Sequence, residues 1–305
     1  MIFPNRLKKG DTIGVIAPAG PPNIEKVKKA IPFFEQMGLH VKLGRNIREV
    51  RGYLAGSDED RLEDFHDMIA DRKIKAIIFA RGGYGTGRIV DKMDFEQIKK
   101  NPKIIWGYSD ITYLHTAIRQ KTNLITFHGP MLASDIAKDD FDDFTGHLFQ
   151  QLFEPTELYY TEKLSALKEY ASGSAEGQLV GGNLSLLVST LGTPYEIDTI
   201  DKLVLLEDIG EEPYRVDSML NQLRLSGKLS QAAGFILGDF AEAEPKVEPS
   251  LTMHEVFEDY FTDFDGPVLS GFKIGHCSPH FSVPLGVNAK VSTEDKAFVI
   301  APGVK

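Results

Sequence analysis

An α/β fold in two domains is predicted by three features of the sequence. Short apolar runs alternate with helical patterns, glycine-rich turns directly follow several of those runs, and the length of 305 residues exceeds what one domain usually needs. Thr12 to Ala17 (TIGVIA) reads as a short buried strand, broken by Pro18-Ala19-Gly20-Pro21-Pro22 before a helical pattern from Ile24 to Met37. The cycle repeats through Val41-Lys42-Leu43, a helix over Asp58 to Asp71, the strand Ala76 to Ala80, a glycine-rich turn, and the strand Ile104 to Trp106. Such alternation implies a parallel sheet covered on both faces.

Helical spacing over Tyr113 to Arg119 precedes a strand-like Leu124 to Phe127 and an acidic, phenylalanine-bearing stretch from Asp139 to Phe153. Weak periodicity follows, so the expected division is an N-terminal domain over residues 1–150, a crossover linker over 151–175 and a smaller α/β domain over 176–305. The last of these opens with Glu176 to Val180, Gly181-Gly182 and an apolar helix from Leu184 to Leu191. Strands at Lys202 to Leu206, Gly234 to Leu237, Val268 to Ser270 and Lys296 to Ile300 favour a mixed sheet.

Composition narrows the class of function. The chain is 42% hydrophobic, and 34 Lys and Arg against 44 Asp and Glu give a net charge of −10, which disfavours nucleic acid and anionic membrane surfaces as partners. The single cysteine, Cys277, cannot form an internal disulfide, as suits a reducing compartment. No apolar run has signal-peptide or membrane-helix length, so a soluble, cytoplasmic protein is expected.

Four segments could carry chemistry. In Trp106-Gly107-Tyr108-Ser109-Asp110-Ile111-Thr112 a strand runs into a tight turn before a helix, which would expose Ser109 at the carboxyl end of the sheet. Ile111 replaces the second glycine of the G-x-S-x-G elbow, and by itself the segment also reads as a helix cap. Arg81-Gly82-Gly83-Tyr84-Gly85-Thr86-Gly87 follows a strand and could present backbone N–H groups to an anion or oxyanion. Its spacing is not that of a dinucleotide fingerprint, and a plain glycine turn competes.

The third segment, Leu205-Leu206-Glu207-Asp208, ends an apolar strand in carboxylates that could orient an imidazole or form a solvated loop. The fourth, Gly275-His276-Cys277-Ser278-Pro279-His280, has an H-x3-H spacing that invites a zinc reading, but one local pair supplies too few ligands. Cys277 beside a histidine base could serve as a nucleophile, but a lone cysteine reads more readily as a buried inert thiol, and neither a cofactor nor a metal is expected.

These segments in this order resemble the murein L,D-carboxypeptidases, a serine peptidase family that includes a microcin-immunity branch. The likeness runs from Leu7 to Pro18 through Arg81 to Gly85, Gly107 to Thr112, His128-Gly129-Pro130, Gly181 to Leu184, Leu206-Glu207-Asp208, Pro213-Tyr214-Arg215 with Asp217, and Gly275-His276. The resemblance implies an amidotransferase-like (flavodoxin-like) N-terminal domain carrying Ser109 as nucleophile. It implies Glu207 and His276 as carboxylate and base on the second domain, and Gly83 and Asp110 as N–H donors of an oxyanion hole. It further implies a homodimer and hydrolysis of the bond before the terminal D-alanine of cytoplasmic murein tetrapeptides. The microcin branch, which cleaves aminoacyl-nucleotide antibiotics, is the runner-up, and a non-catalytic small-ligand binder is the alternative from another class. Ser218 stands where the family often has arginine after Asp217.

Overall fold

The structure is a computed structural model describing all of residues 1–305, in two compact units. The first comprises Met1–Thr156 with Ser282–Pro284 and Pro302–Lys305, and the second Glu157–Phe281 with Leu285–Ala301.

In the first unit the order is β1 (Thr12–Ile16), α1 (Ile24–Gln36), β2 (His40–Leu43), α2 (Asp58–Ala70), β3 (Ile74–Phe79), α3 (Phe95–Lys100), β4 (Ile104–Gly107), α4 (Thr112–Thr122), β5 (Thr126–His128) and α5 (Asp143–His147). Ile13, Ile16, Ile77, Ile78, Ile104 and Ile105 are fully buried, as expected of parallel strands covered on both faces. Helix α2 starts with a capping box: the Ser57 hydroxyl accepts from the Asp60 N–H at 3.1 Å, and the Asp60 carboxylate accepts from the Ser57 N–H at 2.8 Å. That cap fixes the first turn, which carries Arg61.

The second unit contains β6 (Leu158–Thr161), β7 (Lys168–Ala171), β8 (Ser174–Asn183), α6 (Leu184–Ser189), β9 (Lys202–Ile209), α7 (Pro213–Leu225), β10 (Gly234–Ala241), α8 (Met253–Phe261) and β11 (Val268–Ser270). The chain then forms β12 (Val283–Leu285), β13 (Asn288–Ser292) and β14 (Ala297–Ile300). Strand β12 joins the first sheet, whose order is β12-β5-β4-β3-β1-β2, with β2 through β5 paired in parallel. The second sheet, β6-β14-β13-β8-β9-β10-β11-β7, is mixed: β8 to β11 run parallel, and both flanks pair antiparallel. An apolar core that includes Leu184, Leu206, Val216, Leu220 and Phe261 packs α6, α7 and α8 with the sheet.

Two differences from the sequence expectation concern boundaries. Residues 151–175, expected as a linker with little core, supply β6 and β7, the outermost strands of the second sheet, and bury Leu158, Tyr160 and Leu167. Their alternation is short because an edge strand buries one side only. The acidic stretch near residue 150 is integral to the first unit, since Phe149 lies 4.3 Å from the Trp106 ring and 5.6 Å from Phe34.

Trp106, the sole tryptophan, anchors β4 just before the serine turn. It is fully buried, and its indole N–H donates to the Pro130 carbonyl at 2.8 Å. A Cβ on Gly129 would sit 2.3 Å from its Cζ2 atom. Gly129→Ala is therefore expected to lower stability by about 1–3 kcal/mol through overpacking. The check is the urea midpoint followed by Trp106 fluorescence, and an unchanged midpoint would refute this packing account.

Candidate active site

In the first unit, β4 ends at Gly107 and a 3₁₀ turn over Ser109–Ile111 leads into α4. Ser109 has φ of 62°, a left-handed conformation uncommon for a residue with a side chain and one that clusters at functional sites. It is partly exposed, unlike its buried neighbours Tyr108 and Asp110. No side chain caps either the 3₁₀ turn or α4, so the helix-cap reading of Ser109 fails.

The glycine-rich loop after β3 passes against this serine. A Cβ on Gly82 would fall 3.0 Å from the Ser109 Cβ and 3.1 Å from its Oγ, tight enough that the serine would have to give way by a few tenths of an ångström. Gly83, next in sequence, is exposed and has φ of 113°. The loop is tied to the serine turn by Asp110, whose carboxylate accepts from the Thr86 N–H at 2.9 Å while its carbonyl accepts from the Thr86 hydroxyl at 2.7 Å. Burial pushes the Asp110 carboxyl up to about 6, opposed by the hydrogen bonds from Thr86.

Arg61 holds the same loop from the other side. It is 1% exposed and donates from Nη1 to the Pro18 carbonyl at 2.6 Å and the Gly85 carbonyl at 2.8 Å. Its Nη2 pairs with Asp58, which also accepts a two-pronged contact from Arg88 at 3.0 Å for each bond. Those hydrogen bonds from Arg88 hold the Asp58 carboxyl below the usual range. From below the turn, His115 Nε2 bonds the Gly107 carbonyl at 2.8 Å, and burial pulls that imidazole down to about 3. A neutral ring must therefore carry its proton on Nε2 to donate to this carbonyl. Sequence reading expected no more than a surface or structural role for His115, and it missed Arg61, a lone polar residue on an acidic helix with no local signal.

In the second unit, Glu207 is fully buried on β9 in register with Asn183 of β8. Its Oε2 lies 2.8 Å from His276 Nδ1, and the His276 side chain keeps 12% exposure. A carboxylate on Nδ1 fixes the tautomer with Nε2 bare, the state in which an imidazole accepts a proton. Gly275 has φ of 126°, and a Cβ there would meet Glu207 Oε2 at 2.7 Å, so glycine is required beside the histidine.

The neighbouring carboxylate differs in role. Asp208 accepts from Asn183 Nδ2 at 2.8 Å and from the Ser185 N–H at 2.9 Å, tying β9 to the start of α6. Burial, then the charge of Glu207, raises it to about 6. His280 is buried, the Cys277 thiol donates to the Pro279 carbonyl at 3.3 Å, and no three His, Cys, Asp or Glu gather as a ligand set. Ser218 is exposed on α7, and no helix is long and apolar enough to cross a membrane.

The first unit sets Ser109 against Gly82, the neighbour of Gly83, and beside Asp110, and the second pairs Glu207 with His276. Comparison with known proteins supplies the family. The model of the LD-carboxypeptidase N-terminal domain matches residues 13–129, and that of the C-terminal domain matches residues 176–291. A probable murein peptide carboxypeptidase of Bacillus subtilis (strain 168) is 56% identical, over 99% of this chain and 95% of its own. The structure of muramoyltetrapeptide carboxypeptidase from Oxalobacter formigenes superposes with a TM-score of 0.87 at 28% identity, covering 96% of this chain and 100% of that one. The microcin C7 self-immunity protein MccF of Escherichia coli is 26% identical, over 95% of this chain and 93% of its own. The chain belongs to the LD-carboxypeptidase family, peptidase S66, and is a serine-type carboxypeptidase hydrolase.

Proposed function

We propose that this enzyme removes the terminal D-alanine from murein tetrapeptides in the cytoplasm, a step of cell-wall recycling, with Ser109, His276 and Glu207 as its triad. The observation that carries the reading is the hydrogen bond between buried Glu207 and His276 Nδ1, which leaves Nε2 to act as a base. In this mechanism His276 Nε2 takes the Ser109 proton as Oγ attacks the carbonyl carbon before D-alanine. The N–H groups of Gly83 and Asp110 stabilise the resulting oxyanion. Collapse transfers the proton to the departing amine and leaves an acyl-enzyme, which water hydrolyses by the reverse use of His276.

Gly83 and Asp110 suit the oxyanion role because the Asp110–Thr86 and Arg61–Gly85 bonds hold the two backbones in register. Gly83 also directly follows Gly82, whose backbone packs closely on Ser109, and its φ of 113° favours glycine. The murein branch is favoured over the microcin branch by the 56% identity with the Bacillus subtilis relative, against 26% with MccF. A homodimer completes the proposal.

Incubation with murein tetrapeptide should release one alanine, read by mass spectrometry as loss of a single residue. Intact tetrapeptide alongside cleavage of an aminoacyl-nucleotide amide would shift the assignment to the microcin branch. Among variants, Ser109→Ala should lower turnover by at least about 10³-fold, and Glu207→Gln by about 10⁴-fold, as in other triads that lose the carboxylate. His276→Ala should be at least as damaging, whereas His280→Ala should be mild. Steady-state kinetics on variants with unchanged circular dichroism checks the ranking, and a milder effect at His276 than at His280 would overturn the choice of base.

A further inference from the structure

A cavity of about 390 Å³ opens at the amino ends of β3 and β4, lined by Arg6, Arg72, Lys75, Lys100 and Lys103 with Asn5 and Asn101. Ser109 follows the carboxyl end of β4, so this cavity lies at the opposite edge of the same sheet. Its charge runs against the rest of the chain. Acidic residues outnumber basic ones by 44 to 34, yet five cations and no carboxylate line these walls.

Elsewhere on this unit some exposed cations pair with acids, as Lys42 does with Asp71, Arg45 with Glu63 and Lys92 with Glu59, while scattered others such as Lys26, Lys73 and Lys99 do not. Arg6, Arg72, Lys75 and Lys100 are exposed and have no carboxylate partner. Lys75 Nζ donates only to the Arg72 carbonyl at 2.9 Å. Lys103 is 5% exposed and donates to the carbonyls of Asp71 and Ile74, the latter at 2.7 Å; burial pulls its ammonium down to about 8. Complementarity to helix carboxyl ends accounts for Arg72 after α2 and Lys100 in the last turn of α3. It leaves Arg6 and Lys75 unexplained, Lys103 being held by the carbonyl of the α2 cap residue Asp71 and by that of Ile74.

We infer that this cavity binds a compact, multiply charged phosphate compound of low molecular weight. Two guanidinium groups offer planar pairs of donors that match phosphate oxygens, and the ammonium groups neutralise further charge. The volume lies in the range of small-molecule sites, while the net charge of −10 repels an extended polyanion.

Isothermal titration of the full chain with pyrophosphate tests the assignment. Saturable one-to-one binding is expected at low salt, weakening severalfold as salt is raised because the walls are solvent-exposed. The variant Arg6→Gln, Arg72→Gln, Lys100→Gln should lose about tenfold or more in affinity, with circular dichroism unchanged and a thermal midpoint lowered by no more than the few degrees that two lost helix-end charges cost. No saturable binding up to about 10 mM pyrophosphate, or undiminished affinity in the triple variant, would overturn the proposal. So would equal affinity for citrate at matched ionic strength, because the site would then select charge alone.

Discussion

A buried guanidinium and a buried carboxylate fix the place where β3 and β4 part. Arg61 grips the carbonyls of Pro18 and Gly85, and Asp110 grips Thr86, so three chain segments distant in sequence meet at one edge of the first sheet. Neither charge is cheap to bury, and removing a partner so that one of their hydrogen bonds goes unmade costs about 1–3 kcal/mol. What the arrangement secures is geometry: Ser109 stays in a left-handed conformation, and the glycine loop stays close enough that a methyl group on Gly82 would touch it. Below the turn, Trp106 and His115 hold the end of β4 from the core.

The second unit solves a different problem, that of keeping an ionisable carboxyl inside a sheet. Glu207 and Asp208 are adjacent on β9 and face opposite sides, as strand residues must. One side leads to His276; the other leads to Asn183 and the start of α6, where Asp208 accepts several hydrogen bonds. The close packing of Gly275 and Gly238 on Glu207 leaves no space for side chains at either glycine. The imidazole is thereby positioned by a group that solvent does not reach.

Much of this architecture was legible because parallel strands write themselves as apolar runs: TIGVI, IIWG and KLVLL all lie in strands. The glycine loop, the serine turn and the Glu–His pair were legible from residue types at strand ends, and the family resemblance assigned roles to them. Strands β6 and β7 were hidden because short edge strands lack a long periodic signal. Strand β12 was hidden by Pro284, which a sheet tolerates at an edge, and by lying far along the chain from the sheet it joins. Arg61 was invisible for another reason. Its burial arises from loops brought together by the tertiary fold, and nothing in DEDRLEDF marks it as other than a surface arginine on an acidic helix.

The central claim is that Ser109 forms a covalent bond to substrate carbon. Reaction with a serine-directed phosphonate, followed by intact-mass measurement and peptide mapping, tests it most directly. The account predicts one adduct per chain, located on Ser109, with activity lost in proportion to labelling. Full labelling at another residue with loss of activity, or an unlabelled Ser109 in an inactivated enzyme, would contradict it.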